Sequence, residues 1–327
     1  SMAIHTPPLD DDALVLKGAG HYEGGCRPCH GAPGSPRPAI PMQMTPKPPD
    51  LASRAAAWKP RELFHIVKHG IKFTGMPAWP AARRDDEVWA VVAFLVRMPG
   101  LEPDAYRRLV RGEAAVVPAV AQLASPEAQQ EIPPAVTRTC GRCHGAEGNG
   151  RGEGAFPRLA GQRPQYLLAA LDAYARGDRF SGIMGPIAAA LAPAERDEVA
   201  AYYATLAPQP GGHAADQAAA ERGAALARDG IPGQRVPSCE DCHGFSTHPR
   251  NPSYPVLHGQ HADYLELQLR LFAEGRRGGS PYARLMHSFA ARLTPPQIRD
   301  LAEHYAAGPE GSPTARSGHG VTSASSP

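Results

Sequence analysis

Cys-x-x-Cys-His occurs three times in this chain, as Cys26-Arg27-Pro28-Cys29-His30, Cys140-Gly141-Arg142-Cys143-His144 and Cys239-Glu240-Asp241-Cys242-His243. Together the three copies use all six cysteines of the 327 residues. Two cysteines three positions apart share one side of a helical turn, and the residue that follows projects its imidazole beside them. Any fold must therefore present three such turns. Their spacing of about a hundred residues divides the chain into three units of the lower typical domain size.

The motif is the attachment signature of c-type haem, in which both thiols form thioethers to the porphyrin and the histidine ligates iron. Zinc would need four ligands per site, and three equivalent triplets do not divide neatly into such sites. A redox dithiol belongs in a βαβ context, which is absent here. Structural disulfides give no reason for a histidine after each pair. Three covalently attached haem c groups, held by Cys26, Cys29, Cys140, Cys143, Cys239 and Cys242, are therefore expected. His30, His144 and His243 are the expected proximal iron ligands. Glycine and proline are plentiful (34 and 36 residues), which suits short helices joined by long loops. A haem also supplies apolar core that so small a domain lacks.

The second half of the chain contains an internal repeat. Phe156-Pro157-Arg158-Leu159-Ala160-Gly161-Gln162 parallels Tyr254-Pro255-Val256-Leu257-His258-Gly259-Gln260. Tyr166-Leu167 and Tyr264-Leu265 open matching helical stretches, and Leu191-Ala192-Pro193 and Leu293-Thr294-Pro295 lead into matching closing helices. The first segment follows the plan loosely. It has a helix over residues 12–23, a proline-rich loop from Pro33 to Pro49, a helix over residues 61–69 and a closing helix from about Asp85. In that closing helix Val88, Trp89, Val92 and Leu95 are spaced for one buried face.

Each segment offers a methionine before its closing helix: Met76, Met184 and Met286, which lie 46, 40 and 43 positions after His30, His144 and His243. A thioether on the far side of the iron gives six-coordinate metal and a raised potential. Met42 and Met44 rival Met76, whereas Met98 at the end of the closing helix reads as packing. His287 rivals Met286. His258, His261 and His304 read as surface or packing residues.

On Cys-His-Gly, the Pro-x-Leu-x-Gly-Gln stretch and a methionine before the closing helix, the chain resembles class I cytochromes c over nearly everything except its tail. Segments two and three resemble the tandem two-haem cytochromes c of bacterial periplasms. Segment one, with Gly75-Met76-Pro77-Ala78-Trp79, is similar to single-haem domains appended to bacterial redox complexes. The resemblance implies an all-α fold of three tandem domains, each wrapping one haem with His/Met ligation. It also implies that the carbonyls of Pro157 and Pro255 orient His144 and His243 by accepting the imidazole N–H. Pro48 or Pro49 is the counterpart in segment one.

The expected units are 1–117, 118–212 and 213–307, with a disordered Gly/Ser/Pro tail over 308–327. Residues 112–136 read as part linker, and Gln209-Pro210-Gly211-Gly212 as a break. All five lysines fall in the first unit, but a net charge of +2 speaks for an ordinary solvated surface and against a nucleic-acid binder. No apolar run reaches the length of a membrane span. Haem attachment through thioethers takes place outside the bacterial cytoplasm, so a periplasmic protein whose export signal has been removed is expected. The reading is a triheme electron carrier between redox partner proteins, a dehydrogenase on one side and a terminal oxidase or reductase on the other, with no catalysis of its own. A second reading is the electron-accepting subunit of a larger dehydrogenase complex, associated peripherally with a membrane assembly. A haem enzyme with one open axial site is the third.

Overall fold

The computed structural model describes residues 6–111, 132–152, 154–208, 215–244 and 251–308. Among these the chain is helical, with only two isolated bridges, Ala32 to Ser35 and Ile231 to Val236. Residues 112–131 of the expected linker over 112–136, the break at 209–212 and residues 309–327 of the expected tail over 308–327 lie outside the described residues.

Segment one contains helices α1 (Asp12–His21), α2 (Arg27–His30), α3 (Leu51–Arg54), α4 (Pro60–His69), α5 (Asp85–Arg97) and α6 (Pro103–Arg111). Segment two contains α7 (Gly141–His144), α8 (Pro164–Arg176), α9 (Met184–Ala190) and α10 (Pro193–Thr205). Segment three contains α11 (Gln217–Asp229), α12 (Glu240–His243), α13 (Ala262–Ala273), α14 (Ala283–Ala290) and α15 (Pro295–Ala306). Local chemistry sets the ends. Asp11 caps α1 by accepting from Leu14 N–H at 2.8 Å, and Thr294 with Gln297 forms a capping box on α15. Asp85, Asp86 and Glu87 open α5 and Arg97 closes it, as the helix dipole favours.

In segments one and three the helix before the motif crosses the closing helix through a glycine. A Cβ on Gly18 of α1 would lie 1.9 Å from the Ala90 carbonyl oxygen of α5, and one on Gly223 of α11 would lie 1.9 Å from that of Asp300 in α15. Only a residue without a side chain permits backbones so close.

Two details differ from the sequence expectation. Helix α5 is buried from Val88 through Leu95 without a gap, so it has no solvated face over that stretch. Helices α1 and α4 both pack on it, and α6, for which the sequence reading had no place, adds to the cover. Its Tyr106 packs on Tyr22 and Phe94 and donates to Glu23 Oε2 at 2.5 Å. The second detail is α1, which ends at His21 and passes into one π turn, Tyr22–Cys26, that delivers the first motif.

Candidate cofactor-binding sites

Each motif folds as one short turn of helix, α2, α7 or α12, with its histidine as the last residue. In the first two segments a π turn (Tyr22–Cys26, Val136–Cys140) precedes it. The three imidazoles are held alike. Nδ1 of His30 lies 2.9 Å from the Pro49 carbonyl, Nδ1 of His144 2.9 Å from that of Pro157, and Nδ1 of His243 2.9 Å from that of Pro255. With the proton on Nδ1, the Nε2 lone pair is left to bind metal. Burial pulls His30 and His144 below the usual imidazole range, and the proline carbonyls oppose it, so the neutral, ligating form prevails.

The six cysteines are unpaired thiols. Burial pushes Cys26 up to about 12 and Cys140 and Cys239 up to about 11. Among the described residues no three His, Cys, Asp or Glu side chains converge as a metal cage.

Tyrosine hydroxyls fasten the backbone after two of the histidines. Tyr22 donates to the Gly31 carbonyl at 2.8 Å and Tyr203 to the Gly145 carbonyl at 2.9 Å. One tyrosine comes from the helix before its motif and the other from the closing helix, so the repeat pattern does not reveal their common role. Tyr305, the counterpart of Tyr203, is buried, and its hydroxyl has no hydrogen-bond partner among the described residues.

Segments two and three share one apolar cavity. It is lined by Cys140, His144 and Met184 from one and by Cys239, His243 and Met286 from the other. Its void, open mouths included, is about 2220 Å3. Cys242 also lines it, whereas Cys143 is buried against Phe156, Ala13 and Leu16. His287 is exposed and turned away, its Nδ1 2.6 Å from the Phe272 carbonyl. In segment one Met76 is half-buried in a loop, its N–H on Thr74 Oγ1 at 3.1 Å and its carbonyl accepting from Ile71 N–H at 3.1 Å. Met44 presses on the same loop: a Cβ on Gly75 would lie 1.9 Å from its Cε. Met98 is fully buried in the core.

Side chains cross reciprocally between segments two and three. Gln162 Nε2 donates to the Val256 carbonyl at 2.9 Å, and its Oε1 accepts from Val256 N–H at 2.8 Å. Gln260 does the same to Arg158, at 3.0 and 3.0 Å. Arg179 donates to the Tyr264 hydroxyl at 3.2 Å, and Arg277 to that of Tyr166 at 3.0 Å. Arg179 also stacks on Tyr174 at 4.6 Å and Arg277 on Phe272 at 4.4 Å. Neither guanidinium has a carboxylate partner among the described residues. Burial alone would raise Tyr166, but Arg277 and Arg179 outweigh it and bring the hydroxyl down to about 8. The sequence reading missed both arginines, because an arginine after a helix carries no signal until the partner segment is seen across the cavity.

Parts of the chain match known families and proteins. Residues 13–95 match the family described as cytochrome c oxidase, cbb3-type, subunit III, and residues 134–207 the family described as cytochrome c. The thiosulfate dehydrogenase electron acceptor of Thiomonas intermedia is 37% identical over 192 residues, 57% of this chain and 85% of that protein. Cytochrome c4 of Thiocapsa roseopersicina is 36% identical over 167 residues, 50% and 84% of the two chains. A crystal structure of cytochrome c4 from Pseudomonas stutzeri is 30% identical with a TM-score of 0.49, over 54% of this chain and 98% of that one. The chain is a multi-domain class I c-type cytochrome, an all-α protein that binds haem c covalently and transfers electrons.

Proposed function

We propose that this chain is a periplasmic three-haem carrier, with units over 1–117, 118–212 and 213–307, that accepts electrons from a dehydrogenase partner and passes them on. The observation that carries the reading is the threefold repetition of a buried imidazole whose Nδ1 is held 2.9 Å from a proline carbonyl. Haem c, when attached, supplies one-electron redox chemistry at iron. The protein's part is to fix ligands, exclude water and set potential. Cys26 and Cys29, Cys140 and Cys143, and Cys239 and Cys242 are the attachment pairs. His30 with Met76, His144 with Met184 and His243 with Met286 are the axial pairs.

Met286 is assigned over His287 because it lines the cavity with His243, while His287 is exposed and bonded to Phe272. Met76 is assigned over Met44 by its place in the Gly-Met-Pro loop. Arg179 and Arg277 are the cations that would receive the carboxylate arms of macrocycles in the shared cavity. The donor is inferred from relatives in Thiomonas intermedia and Stutzerimonas stutzeri, both thiosulfate dehydrogenase electron acceptors. The partner would then oxidise an inorganic sulfur oxyanion. On segment one, Ile71, Lys72 and a fully exposed Phe73 beside Met76 offer an apolar and basic contact for it.

The test is the oxidised and dithionite-reduced absorption spectrum, scaled to haem per protein, with carbon monoxide added to the reduced sample. Three low-spin haems with no carbon monoxide response are expected, together with reduction by thiosulfate only when a thiosulfate dehydrogenase is added. A haem fraction that binds carbon monoxide would overturn the carrier reading.

A further inference from the structure

Glu87 is a carboxylate buried to 2% exposure in segment one, and most of its polar contacts belong to the two methionine loops. Its Oε2 accepts from Trp79 Nε1 at 3.1 Å, three residues after Met76. The same oxygen accepts from Gly182 N–H at 2.7 Å, and Oε1 accepts from Ser181 Oγ at 2.6 Å, both in segment two. Ser181 Oγ in turn accepts from Ile183 N–H at 3.2 Å and from Met184 N–H at 3.0 Å, the first residue of α9. Arg84 closes the arrangement: its Nη1 lies 3.0 Å from Glu87 Oε1 and donates to the Phe180 carbonyl at 2.8 Å. The contact leaves no slack. A Cβ on Gly182 would lie 2.4 Å from Trp79 Nε1, so the indole rests on backbone.

Segment one touches the other side of the second site as well. A Cβ on Gly20 of α1 would lie 3.5 Å from Cys143 Sγ and 2.8 Å from Phe156. The second attachment site thus has segment one against both its cysteine turn and its methionine turn.

We propose that Glu87 is a positioning residue for two iron ligands at once. Through Ser181 it holds the turn that presents Met184, and through Trp79 the loop that presents Met76. The first two sites thereby share one anchor, whereas the third site, whose Met286 lies in the second turn of α14, is outside this network. The inference rests on the His/Met reading above. A buried carboxylate held by three donors and a guanidinium is rigid, since moving any one partner leaves a charge unsatisfied. A loop tied to it is held as firmly.

The test uses the haem-loaded full chain and its S181A, W79F and E87Q variants. The readouts are the three methionine methyl resonances, which haem ring current shifts upfield in the ferrous protein, and the three midpoint potentials. E87Q is expected to move the resonances of Met76 and Met184 and leave that of Met286 in place. S181A should move only that of Met184, and W79F only that of Met76, with potentials changing at the same sites. Resonances and potentials equal to wild type in S181A and W79F would overturn the inference, and so would equal movement of all three. If E87Q does not assemble, S181A and W79F decide it alone. Wild-type protein without methionine resonances would instead remove the His/Met reading on which the inference stands.

Discussion

Replacing Gln162 by alanine tests whether segments two and three form one cooperative unit. The side chain is 8% exposed and makes two hydrogen bonds across the interface, to the N–H and the carbonyl of Val256. Leaving the N–H and the carbonyl of Val256 unpaired costs about 1–3 kcal/mol each, about 2–6 kcal/mol together. The adjoining cavity gives water some access to the freed groups, so the bottom of that range applies, about 2–3 kcal/mol. With a urea slope of about 1–3 kcal/mol/M, the midpoint for the paired segments should fall by about 1 M. Soret circular dichroism of the haem-loaded protein reports the shared cavity.

The chain carries its own control. All three tryptophans, Trp58, Trp79 and Trp89, lie in segment one, and with Trp79, which rests on Gly182 of segment two, replaced by Phe the remaining fluorescence follows segment one. Q260A should reproduce the shift, because Gln260 makes the mirror-image pair of bonds to Arg158. The double variant should cost less than the two single losses together, since an interface already opened has less to lose. A Soret midpoint within about 0.3 M of wild type in Q162A, or an equal shift in the tryptophan midpoint, would refute the reasoning.

M286A should abolish methionine ligation at the third site and lower its potential, while H287A leaves the far-red ferric absorption band of wild type; the reverse result would exchange the two assignments. G18A and G223A each force a Cβ to 1.9 Å from a carbonyl oxygen of the crossing helix, so each should destabilise its own segment by about 3 kcal/mol, at the upper end of overpacking costs, as read by thermal unfolding. His258 is pulled by burial, and next by His304, down to about 4. Its folded value lies below the unfolded one of about 6.5, so the unfolded chain takes up the proton first. Stability from this source is complete above about pH 6.5 and is lost as pH falls toward 4; H258Q should flatten that part of the stability profile in urea titrations. R179A and R277A remove cations beside the shared cavity and should lower the potentials of the second and third sites by on the order of tens of millivolts, measured by spectroelectrochemistry.

The parts of the sites that could be read from sequence are those fixed by local spacing. A step of three positions from one cysteine to the next dictates a helical turn, and the resemblance to class I cytochromes c marks Pro157 and Pro255, 13 and 12 positions after their histidines, as the carbonyls that meet His144 and His243. The repeat could not choose between Pro48 and Pro49 because segment one lacks it, and the choice falls on Pro49. Helix α6 was illegible for another reason: four of its nine residues, Pro103 to Arg111, are charged, and only Tyr106 and Val110 are buried. In the sequence Glu87 is one of three acidic residues at the start of α5, which the helix dipole alone would explain. Its partners Ser181 and Gly182 lie more than ninety positions away, and no periodicity links such residues.

The second half of the chain is built as a pair more deeply than its repeat suggests. The peptide that follows Pro157, whose carbonyl meets His144, is held by Gln260 of segment three. The peptide that follows Pro255, whose carbonyl meets His243, is held by Gln162 of segment two. Each segment therefore fixes the backbone that orients its neighbour's histidine, so neither site is complete in one segment. Segment one braces its own: Arg37 Nη1 donates to the Pro48 carbonyl at 2.6 Å, beside Pro49, which meets His30. An internal brace lets a segment keep its site when it is joined to a different neighbour, and an exchanged brace does not. The chain then reads as an obligate pair of sites with a self-sufficient third fastened to one of them, and Glu87 stands at that fastening.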